Sequence, residues 1–147
     1  MSISRRDVFG LLPAVLLPAS AFPSSAHADD ANVLPSKTYS FGELVPHKSN
    51  VAEIRAVLKG KLATGESLEV HETTLPPGGM PHPPHHHPHS EMWLVREGTV
   101  ELTIEGKSSQ IGPGSVGFVR SEEVHGIKNI GTTPATYYVV AVGPGAA

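Results

Sequence analysis

The chain has 147 residues, with 11 Lys+Arg against 14 Asp+Glu and a formal net charge of −3; with its basic residues scattered, it is a poor match for nucleic acid or a membrane surface. It contains no cysteine, so neither a disulfide framework nor a thiol nucleophile is available. The 39% apolar content supports one buried core, and 14 prolines with 15 glycines cut the chain into segments that suit many short strands, so the expectation is a single all-β domain.

In chain order, residues 1–28 read as a cleaved export signal. They carry the pair Arg5-Arg6, an apolar stretch over 11–22, and Ala26-His27-Ala28 ahead of Asp29. Pro13 and Pro18 interrupt the apolar stretch, and it is short for a bilayer, so no membrane anchor is expected. Residues 4–9 resemble the twin-arginine type of signal, although Val8 and Gly10 depart from its usual pattern. That resemblance implies a bacterial protein exported to the periplasm or beyond. Residues 29–50 are polar and turn-rich and read as an N-terminal arm. The domain itself is expected over 51–147. Strands are expected at 51–58 and Ser67–Leu75, joined by a turn region at 60–65. Residues 99–104 alternate Val100, Leu102 and Ile104 against Thr99, Glu101 and Thr103, the pattern of a half-buried strand, with Glu97-Gly98 and Glu105-Gly106 as flanking turns. Val116–Val119, His125–Asn129 and 136–142 complete an antiparallel sandwich or barrel.

The stretch PPGGMPHPPHHHPHSEMWLVREG, residues 76–98, concentrates metal-binding side chains. If 85–95 is one extended strand, His85, His87, His89, Glu91, Trp93 and Val95 share a face, opposite His86, Pro88, Ser90, Met92 and Leu94. A solvated histidine tract needs no glutamate at matching parity. Nor does it run straight into an apolar Met-Trp-Leu-Val segment.

These residues resemble the cupins, whose first motif is G-x5-H-x-H-x3-E-x6-G. Gly79, His85, His87, Glu91 and Gly98 meet it at every defined position. The second motif, G-x5-P-x-G-x2-H-x3-N, is met at Gly114, His125 and Asn129, with Arg120 in place of the proline and Glu122 in place of the glycine. The resemblance implies a double-stranded β-helix, or jelly roll, holding one divalent metal ion through His85, His87, Glu91 and His125. Iron or manganese comes ahead of nickel, zinc or copper for such a mixed nitrogen and oxygen set. Four protein ligands leave two positions open on a six-coordinate ion, which suits a catalytic site better than a structural one. Glu91 doubles as the candidate catalytic base, and Trp93 and Arg120 are the candidate substrate-pocket residues. His82, His86 and His89 are expected at the surface or behind the ligands, and Asn129 is expected to be structural. Glu69, His71 and Glu72 become acid–base candidates only if their strand turns them inward.

The function implied is a metal-dependent enzyme acting on a small organic, oxygen-rich or anionic substrate, with a dioxygenase-type reaction foremost. Two other classes compete: a secreted module that binds a small ligand without turnover, and a periplasmic metal scavenger whose extra histidines load the site. Small members of the family commonly form a homodimer, which the arm over 29–50 could complete.

Overall fold

The computed structural model describes residues 33–147, and the export signal expected at 1–28 lies outside them. Nine strands follow one another: β1 (Pro46–Lys48), β2 (Glu53–Lys61), β3 (Ser67–Leu75), β4 (Ser90–Glu97), β5 (Val100–Ile104), β6 (Lys107–Ile111), β7 (Val116–Val119), β8 (His125–Asn129) and β9 (Ala135–Val142). They form an antiparallel six-stranded sheet in the order β1-β2-β3-β9-β4-β7 and a three-stranded sheet in the order β6-β5-β8. The all-β jelly roll expected from the sequence is what the chain adopts. Among the described residues no helix is long and apolar enough to cross a membrane.

Alternation decides which side chains meet between the sheets. Val100 and Leu102 of β5 are buried, while Glu101 and Thr103 are only half covered. They join Trp93, Val95, Val119, Ile127, Tyr137 and Val139 in one core, each large apolar side chain contributing about 1.5–3 kcal/mol on burial. Between β5 and β6 the two-residue loop Glu105-Gly106 has φ of 47° and 73°. Positive φ at both positions matches the right-handed twist of the flanking strands, and glycine meets the requirement at the second without strain. Gly98 closes the preceding turn at φ 76°, and a Cβ there would stand 2.6 Å from the Cα of Ala135. That approach of two backbones explains the last glycine of the first motif.

Two strands escape a reading of composition. β6 is Lys-Ser-Ser-Gln-Ile and mostly exposed, so its ladder to β5 defines it where hydrophobicity does not. β1 lies within the segment expected to be an arm and pairs with β2 of its own chain. Ahead of it, Leu34 N–H donates to Lys61 C=O at 2.8 Å, and Arg55 donates to the Leu44 carbonyl at 2.7 Å. The segment therefore lies along its own sheet. The strand expected at 51–58 instead starts at Glu53, because Ser49 Oγ accepts from Ala52 N–H at 3.1 Å and turns the chain there. It runs on to Lys61 because it pairs with β3 as far as Ser67.

Candidate metal centre and adjoining cavity

The segment carrying His85 and His87 is not the strand that parity anticipates. β4 begins only at Ser90; prolines at 83, 84 and 88 remove the N–H groups a ladder needs. What aligns the histidines is an isolated antiparallel bridge between His85 and His125. His85 N–H donates to His125 C=O at 3.0 Å, and His125 N–H returns a bond to His85 C=O at 2.9 Å. Residues directly opposite in such a pair point their side chains to the same face, and the two rings stand 4.7 Å apart. Two residues on, Glu122 N–H donates to His87 C=O at 2.9 Å, which keeps His87 on that side, its ring 4.6 Å from that of His125. Glu91 then enters from β4. Cross-strand pairing and the strand β4 together achieve what one continuous strand would have done.

Hydrogen bonding fixes which ring nitrogens face inward. Nδ1 of His125 lies 2.8 Å from the Glu123 carbonyl, and Nδ1 of His87 lies 2.9 Å from the His89 carbonyl. A carbonyl can only accept, so both Nδ1 atoms carry a proton, and in the neutral rings Nε2 is the bare nitrogen. Each Nε2 stands 3.1 Å from Oε2 of Glu91, which is also an acceptor when ionised. His125 is 1% exposed at its side chain, and its Nε2 has no hydrogen-bond partner. Nδ1 of His85 is likewise buried and unpartnered. Burial first, then the neighbouring His82, His125 and His87, pushes His85 down to about 4, so its ring is neutral at neutral pH. One ring nitrogen from each of His85, His87 and His125 lies within 4.8 Å of the others.

Acceptors converging without a shared proton repel one another unless a cation sits among them. With bonds of about 2.1 Å, neighbouring ligand atoms lie about 3.0 Å apart around an octahedral ion and about 3.4 Å apart around a tetrahedral one. The separations of 3.1 Å to Glu91 already fall in that interval. His85, His87 and His125 could therefore hold a divalent metal ion, and with Glu91 as a fourth ligand three neutral imidazoles and one carboxylate would leave such a centre with a net positive charge.

Beside these ligands lies a cavity of about 240 Å³ whose walls include Glu91 and His125. Its remaining surface is largely apolar: Ile54, Trp93, Ile127, Tyr137 and Val139, with His71 and Thr73 from β3. Trp93 lines this cavity, 3% exposed and with its ring system 5.4 Å from His125. Arg120 does not. Its side chain is 76% exposed and paired with Glu123, outside the cavity lining; that pairing turns it outward, which corrects the expected pocket contact. Glu72 is buried with Arg96 at 3.1 Å, one position out of step with the inward-facing His71. His82, expected at the surface or behind the ligands, is exposed and also reaches the cavity wall, its ring 4.1 Å from that of His85. Tyr137 is a wall residue that no sequence motif singles out. Burial, then the charge of Glu91, pushes its phenol up, so it stays a hydrogen-bond donor.

Asn129 completes the frame around the ligands. It is fully buried, and its Nδ2 donates to the carbonyls of Leu75, Pro76 and Thr133 at 3.0, 3.1 and 2.8 Å, while Oδ1 accepts from Gly131 N–H at 2.9 Å. Those bonds tie the end of β8 to the start of the histidine segment.

A family model described as "Cupin domain" matches residues 71–141. Over those residues the barrel is similar to a cupin domain. Its fold is similar to that of the Schizosaccharomyces pombe Cnp3 cupin domain, at 17% identity and a TM-score of 0.63, covering 72% of this chain and 73% of that one. It is also similar to an RmlC-like cupin from Shewanella frigidimarina, at 19% identity and a TM-score of 0.62, covering 75% of this chain and 94% of that one. A predicted oxalate decarboxylase from Thermotoga maritima has 23% identity and a TM-score of 0.62, covering 73% of this chain and 99% of that one. At these identities the likeness is one of fold. No curated protein matches the chain by sequence.

Proposed function

We propose that this cupin is a metal-dependent enzyme acting on a small organic molecule bound in the cavity beside its metal centre. The observation that carries the reading is the convergence of the Nε2 atoms of His87 and His125 on Oε2 of Glu91 at 3.1 Å, on the wall of a cavity of about 240 Å³. His85, His87, Glu91 and His125 would hold one divalent ion, iron or manganese ahead of nickel, zinc or copper. When bound, that ion supplies Lewis acidity to an oxygen of the substrate. Glu91 holds the negative charge of the set and would serve as base only on leaving the ion. Trp93 and Val139 exclude water from the same wall.

The reaction class that fits this arrangement first is oxidation of an oxygen-bearing substrate by dioxygen. Elemental analysis of the untagged protein tests the reading. One equivalent of iron or manganese, with oxygen uptake on adding enolisable carboxylic acids, is the expected result. No metal retained after reconstitution would sink it, and several equivalents of zinc or copper would transfer the assignment to metal storage by the histidine segment.

A further inference from the structure

The cavity has a second polar end. On β3, His71 faces inward and lines it, and the sheet register places His71 opposite Val139 and Val139 opposite Trp93. Two residues along the ladder, Glu69 pairs with Ala141 and Ala141 with Glu91. His71 and the metal-side carboxylate are thus on strands separated by β9, about 10 Å apart across two strand spacings, with their side chains turned to the same interior. Between them lie the apolar Val139 and Trp93.

His71 has a carboxylate beside its ring. Oε1 of Glu69 lies 3.3 Å from its Nδ1, and Oε2 of Glu69 accepts from Lys59 Nζ at 2.9 Å. A carboxylate beside Nδ1 favours the proton there, which leaves Nε2 as the acceptor. Lys59 is 62% exposed and stands behind Glu69, away from the cavity. No lysine or arginine is among the described residues that line the cavity, so nothing there compensates a fixed negative charge at the end away from the metal.

We infer that His71 binds a substrate hydroxyl at the far end of the cavity and takes up its proton, with Glu69 as the positioning residue. The substrate class follows: a small, mainly apolar molecule with one anionic oxygen for the metal and one neutral hydroxyl for His71. In the transfer the substrate O–H bond breaks and an Nε2–H bond forms, and the resulting imidazolium is balanced by the Glu69 carboxylate. The inference rests on the metal-centre reading of the proposed function.

Cobalt(II)-loaded protein titrated with 4-hydroxybenzoate and with benzoate, followed by the visible cobalt spectrum, tests it. The two probes share a carboxylate for the metal and differ only in the distal hydroxyl. The wild type is expected to prefer 4-hydroxybenzoate about tenfold, the effect of one well-placed hydrogen bond. His71→Leu is expected to abolish that preference while leaving the cobalt content unchanged. Glu69→Ala should reduce the preference and replace the single Nδ1–H tautomer of His71, read from its ring ¹⁵N shifts, by a mixture. An undiminished preference in His71→Leu overturns the assignment of His71, and equal binding of the probes by the wild type overturns the substrate class. Failure of the wild type to hold cobalt at all defeats the metal centre, and with it this inference, and is told apart from the other outcomes before any probe is added.

Discussion

Nε2 of His125 faces Oε2 of Glu91 across 3.1 Å, and Nδ1 donates to the Glu123 carbonyl, so in the neutral ring no hydrogen lies between them. Nε2 of His87 lies 3.1 Å from the same oxygen, on the other side of the carboxylate. Glu91→Gln therefore has opposite effects in two states of the protein. Without metal, the new amide donates to a bare nitrogen, and stability should rise by about 1 kcal/mol. With metal, the loss of an anionic ligand should lower affinity by more than about a hundredfold. Thermal unfolding with and without added manganese or zinc reads both, and a metal-free variant less stable than the wild type contradicts Nδ1–H tautomers at His87 and His125.

Acid should loosen the metal-free protein through His85. In the unfolded chain this imidazole takes up its proton near 6.5, whereas burial and its histidine neighbours hold it at about 4 in the fold. Between those values the unfolded state binds more protons, so stability falls as pH is lowered through the window and is level above it. His89 is displaced downward too, by burial first and then by His87, and adds in the same direction. Denaturant midpoints followed from neutral pH down to 4 should show the decline; His85→Asn should flatten part of it and His85→Asn with His89→Asn more. An unchanged slope in the double variant would exclude these residues as its source.

Asn129→Ala should cost about 2–4 kcal/mol, because three carbonyls and one N–H lose their partner in a fully buried position. Asn129→Asp should be no better, since it turns an acceptor toward the carbonyls of Leu75, Pro76 and Thr133. Urea unfolding measures both, and a loss below about 1 kcal/mol for the alanine variant would mean that the turn is held by other contacts.

Glu122 occupies a left-handed backbone conformation, φ 65°, at the position where the cupin second motif carries glycine. Its carboxylate accepts from His86 at 2.9 Å, but both side chains are about 60% exposed, so the pair contributes little. Glu122→Gly should raise stability by about 0.5–1 kcal/mol by removing the conformational penalty. Glu122→Val should lower it by more, since a β-branched residue tolerates that conformation least. Matched urea curves decide; a destabilised glycine variant would assign the His86 pair the larger role.

Strand pattern and the grouping of the histidines were legible for different reasons. β3, β7 and β8 have the bounds that their apolar alternation and punctuating glycines suggest. β6 was not, because an exposed edge strand needs no apolar residue. The grouping of His85 with His87 could be read from spacing, but its cause could not: the pairing partner is His125, far along the chain, and local parity carries no information about it. Tyr137 was hidden because β9 is apolar on both faces, with Tyr137 and Tyr138 adjacent, so alternation does not say which ring points inward. Arg120 was misplaced because a second-motif arginine reads the same in sequence whether it meets a substrate or, as in this fold, Glu123.

Glu91 belongs to the six-stranded sheet and His125 to the three-stranded one. An ion held by both would rivet the two layers of the barrel at one edge, where otherwise the backbone bridge of His85 and His125 holds the histidine segment to β8. Metal loading then becomes a matter of breathing as well as chemistry: the amides of His85 and His125 should exchange with solvent by a shared local opening, and that opening should slow in proportion to metal occupancy.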